Sequence, residues 1–187
     1  LSVECRNNKL VLSVDAYVPF SYNGFYRWPD IAEVVDYLII MGYDEYHKNS
    51  SKPGPSASLD WTRKAINNTL EYGVEKEKLV IGIPFYSRYW AVNGSQIMST
   101  DTLGMRETKK MISEAGVTTT WDDITQMEYA EYMKDGNTMK IWYENEKSIE
   151  EKLKVVSEAN VAGTAFWRLG QEAPDVWEII KKYTKYM

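Results

Sequence analysis

Leu79-Val-Ile-Gly-Ile-Pro-Phe-Tyr86 is the stretch on which the fold turns. It is short, apolar almost throughout, rich in β-branched and aromatic residues, and bounded by turn signals, which reads as a strand. The apolar residues run on without strict alternation, so the expectation is a parallel strand covered on both faces. Three further runs share that character: Leu10-Val-Leu-Ser-Val-Asp-Ala16, Val35-Asp-Tyr-Leu-Ile-Ile-Met-Gly-Tyr43 and Val161-Ala-Gly-Thr-Ala-Phe-Trp167.

Helical patterns alternate with these runs. Pro29 to Val34 reads as a short helix leading into the second run. Asp60 is the expected N-cap of a helix from Trp61 to Tyr72, with Gly73 just past its end. Glu146 to Ala159 sets Ile149, Leu153 and Val156 on one face. Asp175 to Tyr186 does the same with Val176, Ile179, Ile180 and Tyr183. Strand and helix in alternation, repeated along the chain, predict a parallel α/β architecture.

Two connections are too long for simple turns. Residues 45–59 form a loop full of turn formers after the second run. Residues 91–145 carry their own pattern: a helix from Met105 to Ala115 ending at Gly116, then short strands at Val117–Trp121, Met127–Tyr132 and Met139–Tyr143. Asp135-Gly136-Asn137 supplies a hairpin turn between the last two. The expected organisation is residues 1–90 with three strands and their helices, an inserted α+β subdomain at 91–145, and a closing helix-strand-helix at 146–187.

The bulk properties narrow the function. A chain of 187 residues, 44% hydrophobic and 26% charged, has the means to form one compact unit with a real core. Its net charge of −5 gives no support for binding nucleic acid or an anionic membrane. No apolar run approaches the roughly 18–20 residues needed to span a bilayer. One cysteine, Cys5, excludes an intramolecular disulfide, and with His47 as the sole histidine the composition argues against a zinc site or a Cys–His nucleophile. No cofactor is expected. The opening Leu1-Ser2-Val3-Glu4-Cys5-Arg6 is neither an initiator methionine nor a signal sequence, and reads as an excerpt from a longer chain. Seven Trp and 14 Tyr stand against 4 Phe, a skew toward rings with a polar handle. Core packing accounts for most of them, yet such rings also suit the two-sided surface of a sugar.

In a parallel α/β barrel the chemistry sits at the C-terminal ends of the strands. Here those ends read Met41-Gly42-Tyr43-Asp44, Pro84-Phe85-Tyr86-Ser87-Arg88-Tyr89-Trp90 and Phe166-Trp167-Arg168-Leu169-Gly170. Taken singly, Asp44 also reads as a cap or loop stabiliser, Arg88 as the structural partner of a carboxylate, and Trp167 as core packing. Together, at matching ends of successive strands, they point to a rim suited to a neutral, polyhydroxylated ligand.

These segments resemble the family 18 glycoside hydrolases, the chitinase-like enzymes. Val35 to Asp44 is similar to their sixth barrel strand with its Met-x-Tyr-Asp ending, Leu79 to Arg88 to the seventh with Gly-x-Pro-x-Tyr-x-Arg, and Gly163 to Gly170 to the eighth with its terminal Trp. Gly54 to Trp61 and Ile141-Trp-Tyr-Glu-Asn145 are similar to the branch acting on bacterial peptidoglycan and spore cortex. The resemblance implies the C-terminal half of a (β/α)₈ TIM barrel, strands 5–8, with a small α+β insertion between strands 7 and 8. It implies a retaining, substrate-assisted cleavage of N-acetylglucosamine-containing glycans, an exception to the two-carboxylate scheme. In that scheme Tyr43 donates to the acetamido oxygen, Asp44 binds the substrate or intermediate beside it, Trp167 floors the subsite, and Met41, Tyr86 and Arg88 shape its wall. An extracellular, cell-wall or spore-envelope location follows from such substrates.

The family's acid is a Glu in an Asp-x-x-Asp-x-Asp-x-Glu motif, and no such motif occurs in this chain. The expectation is therefore a fragment inactive alone, or a non-catalytic carbohydrate-binding or structural module completed by a partner chain. Apolar strands at either edge of half a barrel also predict self-association.

Overall fold

The structure is a computed structural model that describes residues 1–184. In chain order the first elements are α1 (Ser2–Asn7), β1 (Ser13–Tyr17), α2 (Trp28–Val34), β2 (Tyr37–Met41), α3 (Leu59–Glu71) and β3 (Leu79–Pro84). There follow β4 (Tyr86–Asn93), β5 (Gln96–Gly104), α4 (Met105–Ala115), β6 (Thr120–Asp122), β7 (Met127–Lys134) and β8 (Asn137–Tyr143). The chain closes with α5 (Glu146–Ala159), β9 (Gly163–Trp167) and α6 (Val176–Tyr183). The expected extension of the last helix to Tyr186 lies outside the described residues.

Strands β1, β2, β3 and β9 form one parallel sheet in that order, so the alternation of apolar runs and helices is read correctly as an α/β fold. Leu38 and Ile40 of β2 and Ile81 and Ile83 of β3 are buried in one core with Trp28, Ile66, Ile149 and Leu153 from the helices. The opposite face is open rather than covered. Tyr37 there is 42% exposed and Trp167 53% exposed. Four parallel strands do not close a barrel, and β1 and β9 are the outer strands of this sheet among the described residues.

The second sheet is antiparallel, in the order β5-β4-β8-β7-β6. Its first strand was not foreseen as such. Tyr86, read as the end of the third parallel strand, is the first residue of β4, which pairs with β5 through a tight turn at Gly94, φ +58°. Helix α4 packs on one side of this sheet, where Ile112, Ala130 and Ile141 make a small second core.

Two local expectations are corrected. Helix α3 is capped by Ser58, whose Oγ accepts the Trp61 N–H at 3.1 Å. Asp60 lies instead inside the first turn and pairs with Lys64 at 2.7 Å. The short α1 was not anticipated, since its six residues bury none of their number and have no side-chain cap. No helix among the described residues is long and apolar enough to cross a membrane.

Candidate functional site

Strand β2 ends at Met41, and the chain turns sharply after it. Met41 pairs with Gly82 on β3. Gly42 approaches so closely that its N–H donates to the Gly82 carbonyl at 3.1 Å, and a Cβ on Gly42 would meet that oxygen at 2.6 Å. Gly82 in turn leaves room for the Tyr43 ring, since a Cβ there would stand 3.1 Å from Tyr43 Cε1. Asp44 adopts φ +57°, the left-handed region that Asp tolerates better than most residues and that often marks a functional position.

The loop after Asp44 is fixed by its own hydrogen bonds. Glu45 N–H donates to Ser56 O at 2.9 Å, and Ser58 N–H donates to a Glu45 carboxylate oxygen at 2.8 Å. The Trp90 indole N–H donates to Gly54 O at 2.8 Å, which ties the loop to β4. Gly54 is required there, because a Cβ would run into the Tyr46 ring at 2.4 Å.

From β4, Tyr86 donates its hydroxyl to Asp44 Oδ1 at 2.7 Å, and its ring meets that of Tyr43 edge-on with centroids 6.0 Å apart. Tyr43, Asp44 and Tyr86 are thus brought together as the strand ends predict. Burial, reinforced by the negative charges of Asp15 and Asp44, pushes the Tyr43 phenol up to about 12. Burial and then Asp44 push the Tyr86 phenol upward as well. Both phenols remain hydrogen-bond donors at any physiological pH. Asp15, on β1, escaped the sequence reading; a carboxylate in an otherwise apolar strand was the available signal.

Arg88, two residues along β4, approaches Thr100 Oγ1 at 3.4 Å and lies 5.9 Å from the Trp90 ring centroid. Its Nε is buried without a hydrogen-bond partner among the described residues. Trp142, directly across from Arg88 on β8, extends the same face; its indole N–H donates to Asp122 Oδ2 at 2.9 Å and its ring lies 4.6 Å from that of Tyr129. Trp167 ends β9 opposite Pro84 of β3, half out in solvent rather than packed in the core. No group of three or more His, Cys, Asp and Glu stands ready to hold a metal among the described residues.

The parallel strands bring a Tyr-Asp pair and a tryptophan to one end of their sheet, beside Tyr86 at the start of β4, which is the end where a TIM-type α/β barrel carries its site. Residues 2–172 match the family described as "Glycosyl hydrolases family 18", and the chain belongs to that family. The "Uncharacterized glycosylase YvbX" of Bacillus subtilis (strain 168) is 30% identical over 189 residues, covering 96% of this chain and 53% of that protein. A chitinase from Chromobacterium violaceum ATCC 12472 superposes with a TM-score of 0.85 at 25% identity, over 97% of this chain and 58% of its own. The spore cortex-lytic enzyme SleL of Bacillus megaterium QM B1551 gives a TM-score of 0.84 at 18% identity, over 98% of this chain and 43% of its own. The chain thus spans about half the length of the proteins it matches. These matches bear out the resemblance drawn from the strand motifs, including the likeness to the bacterial spore-cortex branch.

Proposed function

We propose that this chain is the acetamido-positioning half of a retaining glycosidase acting on β-linked N-acetylglucosamine glycans, those of peptidoglycan and spore cortex or of chitin. The observation that carries the reading is the 2.7 Å hydrogen bond from Tyr86 to Asp44, beside Tyr43. It fixes the rotation of the Asp44 carboxylate, and on this reading the other oxygen serves the ligand. In the proposed reaction the substrate's own acetamido oxygen attacks the anomeric carbon while the glycosidic oxygen departs with a proton. Tyr43 donates to the acetamido group and holds it in line, and Asp44 faces the positive charge that develops on it. Trp167 offers an exposed ring as the floor for a sugar, with Met41, Tyr86 and Arg88 along the wall.

The acid that protonates the leaving oxygen has no counterpart in the 187 residues, since the acidic motif is absent. The isolated chain accordingly binds glycan and does not cleave it. On this reading it acts outside the cytoplasm, in the cell wall or spore envelope, and its sheet edges engage another copy or another chain.

Titration of the chain with N-acetylglucosamine oligomers, followed by tryptophan fluorescence, tests the reading. A saturable change that disappears in Trp167→Ala supports it. No response in the wild-type chain argues against a glycan site, and hydrolysis by the chain alone overturns the assignment of the acid to another segment.

A further inference from the structure

Glu144 and Lys152 form an ion pair that no step above uses. Lys152 Nζ lies 2.9 Å from Glu144 Oε2, with the two side chains 1% and 0% exposed respectively. Ser148 Oγ donates to the same oxygen at 2.6 Å, while Glu144 Oε1 is buried with no partner. Burial pushes the Glu144 carboxyl above its usual range, and the Lys152 ammonium opposes that shift. Removing two charges from water offsets much of their attraction, so stability explains such a pair poorly.

Its position explains more. Glu144 follows β8 directly, and the next residue, Asn145, caps α5 by accepting the Ser148 N–H at 2.9 Å. The Glu144 N–H donates to Ser87 Oγ at 2.8 Å. Ser87 is fully buried on β4 between Tyr86 and Arg88. Strand alternation sends its side chain to the face opposite theirs. The Glu144 carboxylate thus ties to α5 while its backbone N–H ties to Ser87 of β4, and the neighbouring residue on that strand, Tyr86, grips Asp44.

We propose that the buried Glu144–Lys152 pair is a positioning device that sets β4 against helix α5 and so holds the Tyr86 hydroxyl on Asp44. Neither residue touches substrate. The consequence for turnover rests on the functional reading above, whereas the geometric claim stands apart from it.

The test uses the chain labelled with ¹³C at tyrosine Cζ, with the Tyr86 resonance assigned by Tyr86→Phe. Asp44→Ala marks where that resonance lies when the hydrogen bond is broken while the Tyr43 and Arg88 neighbours remain. The double variant Glu144→Met/Lys152→Met replaces the pair with apolar side chains and should fold with a thermal midpoint at or above that of the wild type. Its Tyr86 resonance should move more than halfway to the Asp44→Ala position. A folded double variant whose Tyr86 resonance does not move overturns the proposal. If the double variant does not fold, Ser87→Ala cuts the tie at β4, and an unmoved resonance there overturns it equally. In an assembled, active glycosidase the same variants should lower kcat about tenfold at unchanged KM, as misplacement of a site wall does. A moved resonance with unchanged kcat faults the functional reading and leaves the positioning role standing.

Discussion

The Tyr86 hydroxyl donates to Asp44 Oδ1 across 2.7 Å, and this bond joins the two sheets at the candidate site. Asp44 hangs from the end of a parallel strand, whereas Tyr86 begins the antiparallel one. The shape of the site therefore depends on how the second sheet seats on the first. A change far from the rim acts on Asp44 through that seating.

Asp44→Asn should leave the fold intact and, in an active assembly containing this chain, lower turnover by about 10²–10³-fold. The magnitude is that of one preorganised charge-stabilising group, roughly 3–4 kcal/mol of transition-state stabilisation. Circular dichroism checks the fold and a chromogenic N-acetylglucosaminide assay checks turnover. Unchanged turnover would remove the role assigned to Asp44.

Tyr43 should not ionise until about pH 12, against an ordinary value of 10.0. A raised folded-state pKa means the folded chain holds this proton more tightly than the unfolded one. The associated stability is present below pH 10 and is lost as pH rises toward 12. Ultraviolet absorbance of the phenolate should show this late ionisation. Asp15→Asn, which removes the second-largest cause, should bring the midpoint down. An unchanged midpoint would separate Asp15 from the site.

The parallel strands were legible because burial and β-branching coincide in them, and the rim residues were legible because they sit where such strands end. The β4–β5 hairpin was not. Tyr86 to Trp90 reads as the tail of a parallel strand, which hides the strand start, although Asn93-Gly94 is a hairpin signal with Val92 before it and Ile97 after it. Asp15 was hidden because its importance lies in the negative charge it sets near Tyr43 from the neighbouring strand, a relation of space and not of sequence distance. Glu144 was visible within a motif, but its burial against Lys152 is a property of packing. The cap of α3 was misplaced by two residues because Ser58 and Asp60 are both good capping types, and only geometry separates them.

Gly42→Ala should destabilise the chain by about 1–3 kcal/mol, the range for forcing extra volume into a packed site. The added Cβ would meet the Gly82 carbonyl oxygen at 2.6 Å, a backbone atom that moves only with its strand. Urea denaturation measures the loss. Because Gly82 also adjoins the Tyr43 ring, the glycan response should weaken in the variant even where it remains folded.

Strands β1 and β9 present outer edges in a sheet with an open face, and unpaired edges of this kind invite association. Light scattering should show a mass that rises with concentration across the micromolar range. A monodisperse monomer throughout would count against association through these edges.

Trp167→Ala separates recognition from folding most cleanly. The side chain is 53% exposed, and its backbone carbonyl, which the substitution keeps, accepts the Phe85 N–H at 2.8 Å. Little core contact is lost, so the thermal midpoint should fall by only a few degrees, equivalent to about 0.5–1 kcal/mol. A sugar stacked on an indole loses most of its apolar contact when that ring is removed, and burial of a large apolar side chain contributes about 1.5–3 kcal/mol. Binding of N-acetylglucosamine oligomers should therefore weaken at least tenfold in calorimetry. A variant that binds as tightly as the wild type would place the sugar on another surface, and the exposed Tyr17 and Tyr37 of the open sheet face would be the next to change.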